Sequence, residues 1–115
     1  MLYRITPPAD WQQAQQTGFF ASADLITEGF IHSSALSQVT ATANLYYAGQ
    51  TDLLVLEIDE APLQAAGIKV VQEWAAERGQ AFPHIFGSIP VAAITRALHL
   101  TLDANGQFSL PEELS

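Results

Sequence analysis

The chain has 115 residues, 49% of them hydrophobic and 14% charged, with a formal net charge of −8. That size and apolar content suit one domain with a buried core and argue against a disordered chain. The four cationic side chains, Arg4, Lys69, Arg78 and Arg96, are scattered, so nucleic acid and anionic membrane surfaces are not expected partners. A small anionic ligand remains compatible, because one or two placed groups can hold it against a repulsive overall field. With no cysteine, disulfides, thiolate metal sites and cysteine nucleophiles are excluded. The start MLYRITPP has no basic segment leading into an apolar run, and no stretch reaches the length of a membrane span, so a cytoplasmic protein is expected.

LYRIT (2–6) reads as a strand ended by Pro7 and Pro8, with Thr6 as cap of a helix that Gly18 stops. Trp11, Ala14 and Gln15 fall on one face of that helix. FFAS (19–22) leads into a turn-like ADLITEG, and GFIH (29–32) reads as the second strand. Ser34 is a good N-cap for a helix over 35–47, where Leu36, Val39, Ala43 and Tyr46 or Tyr47 keep helical spacing and Gly49 closes it. TDLLVLEID (51–59) is almost continuously apolar, as a central strand covered on both faces should be. APLQAAG gives a helical turn, IKVVQEW (68–74) a strand and AERGQ a polar loop. FPHIFGSIP (82–90), with two prolines and a glycine, reads as extended and irregular. ITRALHLTLD (94–103) alternates, with Ile94, Leu98, Leu100 and Leu102 on one face, and Asn105-Gly106 turns it into a hairpin with 107–110. The order predicts an α+β domain with two early helices and a largely antiparallel sheet over 1–110, followed by a short tail, 111–115, that frays.

Two stretches carry polar groups in unusual company. In EGFIHSS, Phe30 and His32 share one strand face and Ile31 and Ser33 the other. His32 is then a hydrogen-bond donor or general base on a cleft wall, or a half-buried histidine tied to a backbone carbonyl. Ser33 is less easily explained by capping than Ser34, and no G-x-S-x-G elbow supports a serine hydrolase. In FPHIFG, Pro83 and Gly87 bracket His84 between aromatics, either as a rigid loop lining a ligand site or as a packed turn. Glu73, beside Trp74, is a second candidate carboxylate or a solvated strand-end charge. Arg4 is a candidate phosphate or carboxylate ligand, or an edge charge that discourages aggregation. His99 lies on the polar face of the last long strand and reads as surface. A metal on His32, His84 and Glu73 is disfavoured by the long spacing.

The series Tyr3-Arg4-Ile5-Thr6, Trp11, Gly29 to Ser34, Gln38, Leu53 to Asp59, Phe82 to Gly87 and Pro90 closely resembles the small bacterial family catalogued as domain of unknown function 952, over about residues 2–99. The resemblance implies a relative of the ADP-ribosyltransferase fold, shared with RNA 2′-phosphotransferases, whose split sheet binds NAD or an ADP-ribosyl phosphate. It implies a transferase-like enzyme acting on NAD or an ADP-ribosyl-type nucleotide. Arg4 would occupy the first-strand slot, where histidine is expected in many members, and His32 with Ser33 and Ser34 the second. Glu73 or His84 would fill the third. On that reading His32, His84 and Glu73 are catalytic, while Arg4, Phe30, Ser33 and Phe86 bind the ligand. The alternative is a degenerate, non-catalytic module for a small ligand or a protein on the same fold.

Overall fold

The computed structural model describes residues 1–115. In chain order it contains β1 (Leu2–Thr6), α1 (Pro8–Thr17), β2 (Phe19–Phe20), α2 (Ala23–Glu28), β3 (Ile31–His32), α3 (Val39–Tyr46), β4 (Leu54–Ile58), α4 (Glu60–Ala65), β5 (Lys69–Ala75), β6 (Gln80–Phe86), β7 (Ile89–Pro90), β8 (Ile94–His99), β9 (Thr101–Leu102) and β10 (Phe108–Ser109). Every strand ladder is antiparallel, which makes this an α+β architecture. No helix is long and apolar enough to cross a membrane.

β4 runs between β1 and β8, and all five of its residues are buried. Its run is apolar apart from Glu57 because both faces are covered. Leu56 and Ile58 face one core with Ala14, Phe20, Ile31 and Leu63, while Val55 faces a second core with Tyr3, Ile5, Val39 and Ala43. Each of the Val, Leu, Ile and Phe side chains among them contributes about 1.5–3 kcal/mol by leaving water. The second sheet has the order β3-β6-β5. The two sheets meet at a single bridge, where Tyr3 and Ser34 exchange backbone hydrogen bonds of 2.9 and 2.8 Å. Beyond that bridge β1 and β3 part, and a cleft opens between them.

Several expectations are corrected by local chemistry. ADLITEG is not a turn but α2, stopped by Gly29 at φ 87°, a left-handed conformation that glycine adopts without a Cβ penalty. The strand read at 29–32 therefore shrinks to Ile31–His32. Thr6 does not cap α1; Pro7 occupies that position, and the Thr6 hydroxyl donates to the Pro7 carbonyl. Ser34 does not cap the next helix either, since its backbone is held by Tyr3. The helix over 35–47 divides into a 3-10 turn, Leu36–Gln38, and α3. Gln38 fixes that turn: its carbonyl accepts from Ala35 N at 2.9 Å and its amide donates to the Ala81 carbonyl at 2.8 Å.

FPHIFG is not irregular. It is part of β6, a seven-residue strand paired with β5 from end to end. Pro83 is tolerated there because of its side of the ladder. Its carbonyl accepts from Ser33 N, so its ring nitrogen also faces β3, whose pairing stops at His32. No bond to β5 is lost. On β8, a register shift opposite Glu57 and Ile58 sends Ile94 to the first core, while Leu98 and Leu100 serve the second. The expected common face is thus broken by a bulge. The last residues form a 3-10 turn, Glu112–Leu114, that buries Leu114 against the second core instead of fraying.

Candidate functional site

The cleft at the seam of the two sheets has a volume of about 660 Å³. Its walls come from β1, the starts of α1 and α2, the segment 30–34, α3 and the β5–β6 hairpin. The β3–β6 register sets His84 opposite His32, and strand alternation puts Phe82, His84 and Phe86 on one face of β6. His32 and His84 lie edge to face, with ring centroids 5.1 Å apart. Phe30 stacks flat on His84 at 4.0 Å and meets His32 edge-on at 4.9 Å.

Each imidazole is tethered to a carboxylate. His32 Nε2 is 2.9 Å from Glu28 Oε2, and its side chain is 49% exposed. His84 Nδ1 is 2.8 Å from Glu73 Oε1, and its side chain is only 14% exposed. The other nitrogen of each ring, His32 Nδ1 and His84 Nε2, has no protein partner and is not sealed from solvent. A carboxylate on one nitrogen fixes the ring's orientation and favours a proton on that nitrogen, which leaves the other free to exchange one with a ligand.

The remaining expected site residues are distributed unevenly. Arg4 lines the cleft but is already engaged: its Nη1 lies 2.7 Å from Asp24 Oδ2 and 3.0 Å from the His32 carbonyl. Asp24 also accepts from His32 N at 2.9 Å and from the Ser22 hydroxyl. Burial alone would raise the Asp24 carboxyl, but the His32 N–H, the Ser22 hydroxyl and Arg4 together hold it below the usual carboxylate range. Arg4 Nε is buried without a partner. The Ser33 hydroxyl is buried and donates to the Pro83 carbonyl at 2.7 Å. Glu73 does not line the cleft and touches it through His84. Phe86 also lies outside it, 5.4 Å from Phe30 and partly exposed.

Among the cleft residues not expected at the site are Asp24, Glu28, Thr42, Tyr46, Tyr47 and Arg78. Glu28 stands four residues before His32, a spacing that joins two side chains on a helix but not on the strand expected there. Arg78 sits in the hairpin turn, and only the pairing of β5 with β6 returns it to the cleft.

A second ionic group lies on the first sheet. Glu57, 7% exposed, accepts from Tyr3 Oη at 3.0 Å, from the Thr95 hydroxyl at 2.7 Å, and from Arg96 Nε and Nη2 at 3.0 and 2.9 Å. The Arg96 fork, with Thr95 and Tyr3, draws the Glu57 carboxyl down to about 2 against the opposing effect of burial. Burial, and then the bond to Glu57, raise the Tyr3 phenol.

No curated protein matches the chain. Among solved structures, protein CC0527 from Caulobacter crescentus is similar. Its crystal structure is 34% identical over 98% of this chain and 96% of that one, with a TM-score of 0.81. Its solution structure is 37% identical over 92% of this chain and 89% of that one, with a TM-score of 0.71. Residues 5–97 match the family described as protein of unknown function DUF952. The chain, with its GFIHSS and FPHIFG segments meeting at the cleft, is a member of that family.

Proposed function

We propose that the cleft is an acid–base site for NAD or an ADP-ribosyl-type nucleotide, with His32 and His84 as the proton-handling pair. The observation that carries this reading is the pair itself: two imidazoles 5.1 Å apart, each held by a carboxylate and each with a free nitrogen. One neutral ring takes the proton of an attacking hydroxyl as its oxygen bonds to the electrophilic centre. The other ring, protonated, delivers a proton to the departing oxygen as the old bond breaks. General acid–base catalysis of this kind contributes typically about 10²–10⁴-fold each way.

Glu28 and Glu73 orient the two rings. With its carboxylate turned to His84, Glu73 is not free to face a ribosyl cation, so this reading favours transfer at an oxygen leaving group over release of nicotinamide. Phe30, flat against His84, offers its outer edge to a ring of the ligand. Arg4 acts as a positioning residue, since it and Asp24 together hold the backbone of His32.

The test is incubation with NAD and with ADP-ribose at millimolar concentration, followed by melting temperature and by chromatography of the nucleotide. A raised melting temperature is expected because a ligand of the native state stabilises it, with turnover that His84→Ala abolishes. No shift with either compound overturns the proposal. A second reading, a non-catalytic binding module, is favoured by the internal commitment of Arg4 Nη1 to Asp24 and of the Ser33 hydroxyl to the Pro83 carbonyl. Protection without any product selects it.

A further inference from the structure

We infer that Arg78 is the anion anchor of the cleft, and that the ligand carries a phosphate held by its guanidinium. The cations of this chain divide by what they touch. Arg4 is paired with Asp24 and Arg96 with Glu57. Lys69 is exposed on β5 and does not line this cleft. Arg78 alone combines a place in the cleft with the lack of a carboxylate partner.

Its guanidinium is nonetheless well positioned. It lies over the Phe82 ring at 4.6 Å and near the Tyr46 ring at 5.6 Å, and Nη2 donates to the Thr42 hydroxyl at 3.1 Å. Two aromatic faces and one hydroxyl hold the plane and its direction. None of its other nitrogens is sealed from solvent, so further N–H donors of the fork remain free. A stacked, oriented and unpaired guanidinium matches the two-pronged recognition of a phosphate, which a lysine ammonium cannot reproduce. A carboxylate would satisfy the same fork, but a phosphate brings more charge and more acceptor oxygens. In a protein of net charge −8, whose cleft also holds Asp10, Asp24, Glu28 and Glu77, an unpaired arginine supplies the local positive charge that an anion needs.

The strand spacing adds a dimension. Phe82, under Arg78, and His84 are two residues apart on one face of β6, which is roughly 7 Å at strand rise. A bound phosphate on Arg78 would therefore stand about one sugar or one phosphate unit from the imidazole pair. This inference does not require the acid–base reading, since it rests on the guanidinium and its neighbours.

The experiment is calorimetric titration with inorganic pyrophosphate and, separately, with ADP-ribose, using the full chain, Arg78→Gln, Arg78→Lys, Thr42→Val and, as a control, Lys69→Gln. The expected result is binding of both probes by the parent chain, weakened by added salt. Arg78→Gln lowers affinity at least tenfold and Arg78→Lys lowers it less, because charge is kept and the fork lost. Lys69→Gln leaves it unchanged. Absence of pyrophosphate and ADP-ribose binding by the parent chain overturns the inference. So does an Arg78→Gln protein that keeps its melting cooperativity and binds either probe as tightly as the parent. Should Arg78→Gln fail to fold, Arg78→Lys and Thr42→Val decide: unchanged affinity in both overturns the assignment. Pyrophosphate binding that depends on Arg78, with no turnover of any nucleotide, would sustain this inference while removing the catalytic proposal.

Discussion

Two sets of carboxylates in this molecule are used in opposite ways. Glu57 receives four hydrogen bonds from three side chains, two of them from one guanidinium, and both of its oxygens are occupied. Glu28 and Glu73 each hold one imidazole through one oxygen. Their histidines line the cleft, and each keeps one nitrogen without a protein partner. A saturated network leaves nothing for a ligand and contributes to stability and to a unique packing. An unsaturated one leaves donors and acceptors that only water or a ligand can satisfy. The Arg4 and Arg78 pair repeats the contrast: one arginine is closed by Asp24, the other is stacked but unpaired. Nearness to the seam does not explain the division, since Arg4 and Asp24 line the cleft as well; the closed groups are those that tie separate elements together, Arg4 on β1 to Asp24 on α2 and Arg96 on β8 to Glu57 on β4.

The largest way to break this contrast is at Glu57. Glu57→Ala should cost about 2–3 kcal/mol of unfolding free energy by chemical denaturation, since Tyr3 and Arg96 lose their shared partner. The figure lies below that for a fully buried pair, about 3–5 kcal/mol, because the Arg96 side chain is 41% exposed. A loss below half a kcal/mol would show that the network is ornamental. The same group sets an acid limit. The folded-state value of Glu57 is depressed to about 2 from an unfolded value of 4.5, so its contribution is complete above pH 4.5 and is lost as the pH falls toward 2. Asp24, also depressed, acts with the same sign. Stability measured from pH 6 to pH 2 should therefore fall steeply through this window in the parent, and much less in Glu57→Gln.

At the open site the expected effects reverse. His84→Ala should cost about 1 kcal/mol or less beyond its packing on Phe30, while abolishing turnover of any nucleotide the cleft accepts. A large stability loss with no functional change would move His84 into the structural class. Smallest of all, His99→Ala should stay within about 0.5 kcal/mol and leave ligand binding unchanged. Its only ionic neighbour is Asp52 at 3.5 Å, and both side chains are mostly exposed.

What could be read from the sequence followed the reach of the forces involved. The almost continuous apolar run of β4, the β9–β10 hairpin at Asn105-Gly106 and the β5 strand rest on local pattern and turn chemistry, and they stand. The seam does not. Ser34 looked like a cap because capping is local, but the non-local Tyr3 bridge claims its backbone. Pro83 looked like a strand breaker, yet its imide falls where β3 has already ended. His32 and His84 were singled out as types in unusual company, and the β3–β6 register brings them together. Which cation would be free could not be read at all. Arg4 and Arg78 differ only in whether α2 brings Asp24 alongside, and α2 itself had been read as a turn.

The chain has three histidines, so one spectrum can separate the open groups from the rest. Imidazole resonances should be followed by NMR as ADP-ribose is added to millimolar excess, with His32→Ala and His84→Ala supplying the assignments. The account predicts that the His32 and His84 signals shift together in a saturable manner while His99 stays in place. Unmoved His32 and His84 signals under saturating nucleotide would contradict it.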